Sequence, residues 1–179
     1  MKLPYSTLAI MLNAHNGQTD KSGEVYALHP IRVAYRLAPT RLENVVRAAL
    51  LHDVIEDTPV TKADLRRLGE PEDVVSIVWW VSRLFPISKT YFDWTRGIAT
   101  AGPLGARLVK LADIYDNLSP ARMAAYSEKG RTSMTKRYER ALDILSPSIP
   151  KDLSGLVLSG DVTPELDYWI GNLLPASGA

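Results

Sequence analysis

Apolar residues recur along this chain three and four positions apart, the spacing of helices, and no run alternates in the manner of a half-buried strand. Leu8, Ala9, Met11 and Leu12 lie along one side of a short helix from Ser6 to His15, which Asn16 and Gly17 end. The stretch from Gly17 to Leu28, with Thr19, Asp20, Ser22 and Gly23, has the composition of a polar loop. Ile31, Val33, Ala34 and Leu37 then predict a helix with Pro30 in its first turn, where a missing amide hydrogen costs nothing. His29 therefore stands at a helix entrance. The strongest pattern runs from Leu42 to Glu56, where Val45, Val46, Ala49, Leu50, Val54 and Ile55 predict one unbroken helix ending around Thr58 and Pro59.

Further along, Thr61 and Asp64 form a capping pattern for a short helix to about Leu68, and Pro71 opens a helix from Glu72 to Leu84 that Pro86 closes. A polar and aromatic stretch from Ser88 to Thr95 leads into a helix through Ala101. Gly102, Pro103 and Gly105 break the chain before a helix from Arg107 to Met123. Arg131 to Leu145 is amphipathic and charged; a loose stretch after Pro147 and Pro150 precedes a last helix from Thr163 to Leu174. With no internal repeat and no dividing linker, the expectation is one all-α domain over 1–179, a single-domain bundle of about seven to nine helices. Its motif-bearing core covers about 8–145, and a C-terminal helical extension about 160–175.

Composition narrows the chemistry. The 179 residues suit one core. A formal net charge of +1 supplies no global field to collect nucleic acid, so an anionic ligand needs a local cluster of Lys and Arg. Without cysteine there is no disulfide framework, thiolate metal site or cysteine nucleophile, so any metal falls to His and carboxylates. No signal peptide is legible, and no apolar run approaches the roughly 20 residues of a membrane span, so a cytoplasmic location is expected and no membrane partner.

Candidate chemistry gathers in three places. In Leu50 to Thr58, a continuous helix would set Glu56 over His52 and Asp57 over Asp53, projecting one imidazole and three carboxylates from adjoining faces. Such charge density suits a divalent cation; the plainer alternative is an acidic, solvated helix end. In Leu108 to Leu118, Asp113 and Asn117 share a face among apolar residues, so Asp113 needs a metal or an ion-pair partner such as Lys110 or Arg122, while Asp116 is expected on the surface. His29 is the third piece. By itself it reads more readily as a hydrogen-bonding group than as a ligand, and its weight comes from company. Two His and two Asp make a mixed nitrogen and oxygen set that suits manganese, iron or zinc better than calcium.

The segments Ala14-His15-Asn16-Gly17-Gln18, Ser22 to Pro30, Ala48 to Thr58 and Leu108 to Leu118 resemble, in order and over roughly residues 8 to 145, the HD hydrolase domain of RelA/SpoT-type enzymes, and more closely the stand-alone small alarmone hydrolases. The resemblance implies a helical HD-type fold and a Mn2+ ion held by His29, His52, Asp53 and Asp113. It also implies that Glu56 and Asp57 orient or deprotonate the attacking water, that Asn117 contacts ribose or phosphate, and that the reaction releases pyrophosphate from the 3′ position of (p)ppGpp. An alarmone-clearing or antitoxin role, with a toxin counterpart, is implied by the same likeness.

One position departs from that family. The loop arginine that stacks on guanine there is Asp20 here, followed by Lys21, and an aspartate cannot stack as a guanidinium does. Base specificity is therefore open to ppApp, NADPH or a pyrophosphorylated tRNA 3′ end, with a non-catalytic nucleotide-binding module as a different class of reading. Lys21 could reach a phosphate, and Arg83, Lys89, Tyr91, Trp94 and Arg96 form a basic and aromatic cluster suited to substrate contact. Trp79 and Trp80 are expected in the core or at a homo-oligomer interface, and His15 in a structural place. Arg131, Lys136, Arg137 and Arg140 form a basic face expected to be solvated.

Overall fold

The protein is described here by a computed structural model covering residues 4–83 and 90–159. In chain order the α-helices are α1 (Tyr5–Ala14), α2 (Leu28–Leu37), α3 (Glu43–Leu50), α4 (Val54–Asp57), α5 (Lys62–Arg67), α6 (Glu72–Val81), α7 (Tyr91–Ala101), α8 (Leu104–Asn117), α9 (Pro120–Ala124), α10 (Glu128–Leu145) and α11 (Lys151–Ser159). Among the described residues, eight of these reach eight residues or more, and no strand forms beyond an isolated antiparallel bridge between Thr19 and Val25. No helix among them is long and apolar enough to cross a membrane.

Three helices make the centre. α2 packs on α3 and α8, α3 also meets α8, and α6 covers both α3 and α8. Val33, Ala34 and Leu37 of α2 are fully buried, as are Val46, Ala49 and Leu50 of α3 and Leu108 and Ala112 of α8. Each large aliphatic side chain enclosed this way stabilises the fold by roughly 1.5–3 kcal/mol. The packing fixes the first turn of α2, the end of α3 and the middle of α8 relative to one another, and those segments carry His29, His52 and Asp113.

The loop before α2 is tightly built. Gly17 and Gly23 adopt φ of 76° and 84°, in the left-handed region where a side chain would be strained. Between them the Asp20 carboxylate accepts from the Ser22 amide at 2.8 Å, the Ser22 hydroxyl at 2.6 Å and the Glu24 amide at 3.1 Å. Burial alone would raise the Asp20 carboxyl, but the Ser22 and Glu24 donors hold it below its ordinary value. His15 is buried, bonds Gln18 Oε1 through Nδ1 at 2.8 Å and packs on the Tyr26 ring, a structural place that ties α1 to this loop.

Several expectations need correction. The single helix from Leu42 to Glu56 is two helices separated at Leu51, His52 and Asp53, where φ and ψ pass through −102°, 3° at Leu51 and −98°, −7° at Asp53. The cause is local: the Ala49 carbonyl, which an unbroken helix would give to the Asp53 amide, accepts from His52 Nδ1 at 2.8 Å. The helix drawn from Arg107 to Met123 stops at Asn117, and Pro120 starts α9. The stretch after Pro150 is not loose but forms α11, which packs on α2 and α8 with Val157 buried. α6 ends at Val81, where the Ser82 hydroxyl bonds the Val78 carbonyl. Leu84, Pro86, Lys89 and the helix expected over Thr163 to Leu174 lie outside the described residues.

Candidate metal centre and active cleft

The break between α3 and α4 builds the centre. Successive residues of a regular helix point about 100° apart and do not face each other. Through the turn at 51–53, however, His52 Nε2 and Asp53 Oδ2 come to 2.9 Å. His29 Nε2, from the first turn of α2, lies 3.2 Å from His52 Nε2 and 3.6 Å from Asp53 Oδ2. Asp113 Oδ1, from α8, is 3.2 Å from His29 Nε2 and 3.7 Å from His52 Nε2.

The separations among His29, His52 and Asp53 fit one cation, and Asp113 stands beside the two histidines. Ligand bonds of roughly 2.0–2.2 Å set neighbouring donors about 3–3.6 Å apart around one ion. The imidazole protons agree. His52 Nδ1 faces a carbonyl oxygen and His29 Nδ1 faces the Asp116 carboxylate at 2.7 Å, both acceptors, so each neutral ring keeps its proton on Nδ1 and turns a bare Nε2 inward. Two lone pairs and two carboxylates converging in a buried place demand positive charge. With protons alone to supply it, His52 is held well above its ordinary value: burial opposes the charge, but the Asp53 carboxylate and the bonds to Asp113 outweigh it.

Asp113 has a divided role. Its Oδ2 accepts from Lys110 Nζ at 2.7 Å and its Oδ1 from Asn117 Nδ2 at 2.6 Å, the Oδ1 being the oxygen that faces the histidines. Burial would raise its carboxyl, yet the Lys110 ammonium drives it well below the ordinary range. The ion pair with Lys110 is thus real, but it is buried and leaves one oxygen for the centre. Lys110 is enclosed by Trp94 and Tyr91, its ammonium 4.4 Å and 5.5 Å from their ring centroids.

A cleft of about 200 Å³ opens over the centre, lined by Tyr26, His29, His52, Asp53, Glu56, Arg83, Tyr91, Trp94, Lys110, Asp113, Asn117, Arg122, Arg137 and Tyr138. Glu56 stands on its wall and accepts from the Arg83 amide at 2.7 Å. Burial raises the Glu56 carboxyl and the Asp53 charge adds to it, against the Arg83 amide. Asp57 is set back from the cleft: its Oδ2 is 3.0 Å from the Tyr26 hydroxyl, which also reaches Asp53 Oδ2 at 2.6 Å. Burial and the Asp53 charge raise the Asp57 carboxyl as well.

The proposed substrate contacts divide between two cavities. Arg83, Tyr91 and Asn117 line the metal cleft. Lys21 lines a neighbouring cavity of about 210 Å³ with Asp20 and Tyr126, and Tyr26, Asn117 and Arg122 line both. Lys21 Nζ bonds the Tyr126 hydroxyl at 3.2 Å. Arg137, expected on a solvated face, instead reaches the cleft, with its guanidinium carbon 3.9 Å from the Tyr91 centroid. Trp80 packs on the core and accepts from Trp94 Nε1 through its carbonyl, whereas Trp79 lies under the Lys62 ammonium.

Asp116, expected on the surface, is 1% exposed. Its position three residues after Asp113, on the same helical face, was the available signal. Tyr26 carried no such signal, since its reach to both carboxylates depends on the fold of the loop.

Helices packed around a His and Asp centre, read in chain order as His, His-Asp and Asp, define a helical domain built to hold a divalent metal. The family profile described as HD domain matches residues 7–137, and the chain belongs to that family. Over 73 residues, 40% of this chain and 10% of the relative, it is 49% identical to the bifunctional (p)ppGpp synthase/hydrolase SpoT of Escherichia coli (strain K12). Over 82% of this chain and 22% of the relative, it is 31% identical to the guanosine-3′,5′-bis(diphosphate) 3′-pyrophosphohydrolase of Borreliella burgdorferi. The chain therefore spans about a tenth of the length of the first curated relatives it matches. A solved structure described as a metazoan ortholog of SpoT that hydrolyzes ppGpp superposes with a TM-score of 0.73 at 25% identity, covering 89% of this chain and 96% of that one.

Proposed function

We propose that this chain is a metal-dependent phosphohydrolase that adds water across the bond between the ribose 3′-oxygen and the diphosphate of (p)ppGpp, releasing pyrophosphate and leaving GDP or GTP, with Mn2+ as its metal. The observation that carries the reading is the convergence of His29 Nε2, His52 Nε2, Asp53 Oδ2 and Asp113 Oδ1 at one end of a cleft that also holds Glu56. Names of the relatives and the likeness to a ppGpp-hydrolysing structure support the substrate.

A divalent cation bound there would activate water and neutralise phosphate charge. Glu56, on the cleft wall, takes the proton from the attacking water, and its raised carboxyl keeps it basic near neutral pH. The Tyr26 hydroxyl holds Asp53 in place by donating to its Oδ2 at 2.6 Å, with the Asp57 carboxylate 3.0 Å from the same hydroxyl. Asn117 orients Asp113 and faces both cavities, a position suited to a ribose or phosphate oxygen. Arg83, Tyr91 and Arg137, which also line the cleft, supply positive charge and an aromatic face to a phosphate or a base, and Lys21 serves the second cavity. Lys89 is assigned to the same cluster on sequence alone.

A second reading has its own observation. Asp20 is engaged by its loop and lies 3.6 Å from Arg122 NH1, so the base would meet a neutralised Asp20–Arg122 pair rather than a loop arginine, which leaves room for an adenosine nucleotide or NADPH. The test is pyrophosphate or phosphate release from ppGpp, pppGpp, ppApp and NADPH in parallel with Mn2+ present, with Asp53→Ala as control. Fastest turnover of ppGpp, lost in the variant, supports the alarmone reading. Preference for ppApp or NADPH keeps the centre and replaces the substrate, and no turnover of any removes the proposal.

A further inference from the structure

Asp116 has no part in the chemistry described so far, yet it is among the most deeply buried charged groups of the protein. Its Oδ2 accepts from His29 Nδ1 at 2.7 Å and its Oδ1 from Arg32 Nε at 3.0 Å, with Arg122 Nε 3.8 Å from Oδ2. Both arginines lead to one loop: Arg32 NH1 reaches Glu24 at 2.9 Å, and Arg122 NH1 lies 3.6 Å from Asp20. Asp20 and Glu24 are themselves paired, the Asp20 amide donating to the Glu24 carbonyl at 2.8 Å.

We propose that Asp116 is a positioning residue that fixes the His29 ring for the metal and links that ligand, through Arg32 and Arg122, to the loop bordering the second cavity. The inference rests on His29 being a metal ligand.

The two histidines are oriented differently. His52 Nδ1 donates to a neutral carbonyl, His29 Nδ1 to a buried carboxylate. An ionised acceptor makes the stronger bond, holds the proton on Nδ1 and makes the opposite Nε2 more basic toward a cation. Because Asp113 and Asp116 lie one turn apart on α8, that helix places one ligand directly and a second through the His29 ring. The two guanidiniums compensate the buried charge, and among the described residues Asp116 is the side chain that supplies the His29 Nδ1 acceptor.

The test is the Mn2+ affinity of Asp116→Asn measured by isothermal titration calorimetry, beside wild type and Asp113→Ala. An asparagine matches the shape but has one acceptor oxygen, so it cannot accept from His29 and Arg32 together; its amide group must face one of the two donors. The expected result is a Kd raised roughly 10–100-fold in Asp116→Asn. A second measurement needs no variant: in wild-type protein loaded with Zn2+, nitrogen-15 NMR should show His29 protonated at Nδ1, with that proton further downfield than the one on His52. Unchanged Mn2+ affinity in Asp116→Asn, or an unprotonated His29 Nδ1, overturns the inference while leaving the metal reading intact. A wild-type chain that takes up no divalent cation overturns both.

Discussion

Glu56 and Tyr26 show how much single side chains decide at this centre. Glu56 is partly shielded from water and shares the cleft with Asp53, and both effects raise its carboxyl from an ordinary value of 4.5. A general base must be ionised to work, so turnover falls as pH drops through the raised value. That fall is the acid limb of kcat/KM, displaced upward in the direction that burial sets. Glu56→Gln is expected to retain Mn2+ binding, to lose roughly 10²–10⁴-fold in turnover and to abolish that limb. Parallel calorimetry and a pH-rate profile check this; undiminished turnover would take Glu56 out of the base role. His52→Ala and Asp113→Ala are expected instead to lose the metal.

At the scale of elements, the sequence pattern located the helices better than it located their breaks. Apolar spacing marked α1, α2 and α6 within a few residues, because their apolar positions pack on the core. It did not reveal the interruption at 51–53, since His52 bonding back to Ala49 is a competition between side chain and backbone that apolar spacing does not register. Where a local rule does operate, it holds: Thr61 Oγ1 accepts from the Asp64 amide at 3.3 Å while the Thr61 amide donates to Asp64 Oδ2 at 2.9 Å. Thr61→Ala should cost about 1 kcal/mol, seen as a lower urea midpoint, and leave Mn2+ affinity unchanged because α5 contributes nothing to the centre. A loss of metal with this variant would show that α5 supports α4 more closely than its contacts indicate.

For the whole molecule, the proposed ligands come from three separate segments, so metal binding is expected to be linked to the folded state. A cation that binds the native centre and not the unfolded chain adds about 2.7 kcal/mol at 100 times its Kd, which for a domain of this size raises Tm by roughly 5–10 °C. Thermal unfolding followed by circular dichroism with Mn2+ and then with chelator checks this. The rise should be absent in His52→Ala, and a rise of equal size there would place the cation elsewhere.

The sequence by itself determined the helical class and singled out His29, His52, Asp53 and Asp113 as candidate donors, because apolar periodicity and short motifs are local properties. Only the tertiary structure decided that adjacent His52 and Asp53 converge, that Asp116 is buried behind His29, that Arg137 turns into the cleft and that Lys21 belongs to a second cavity. Each of those depends on segments far apart in the chain being brought together or on a helix being interrupted. Spacing along one helix carries no record of either.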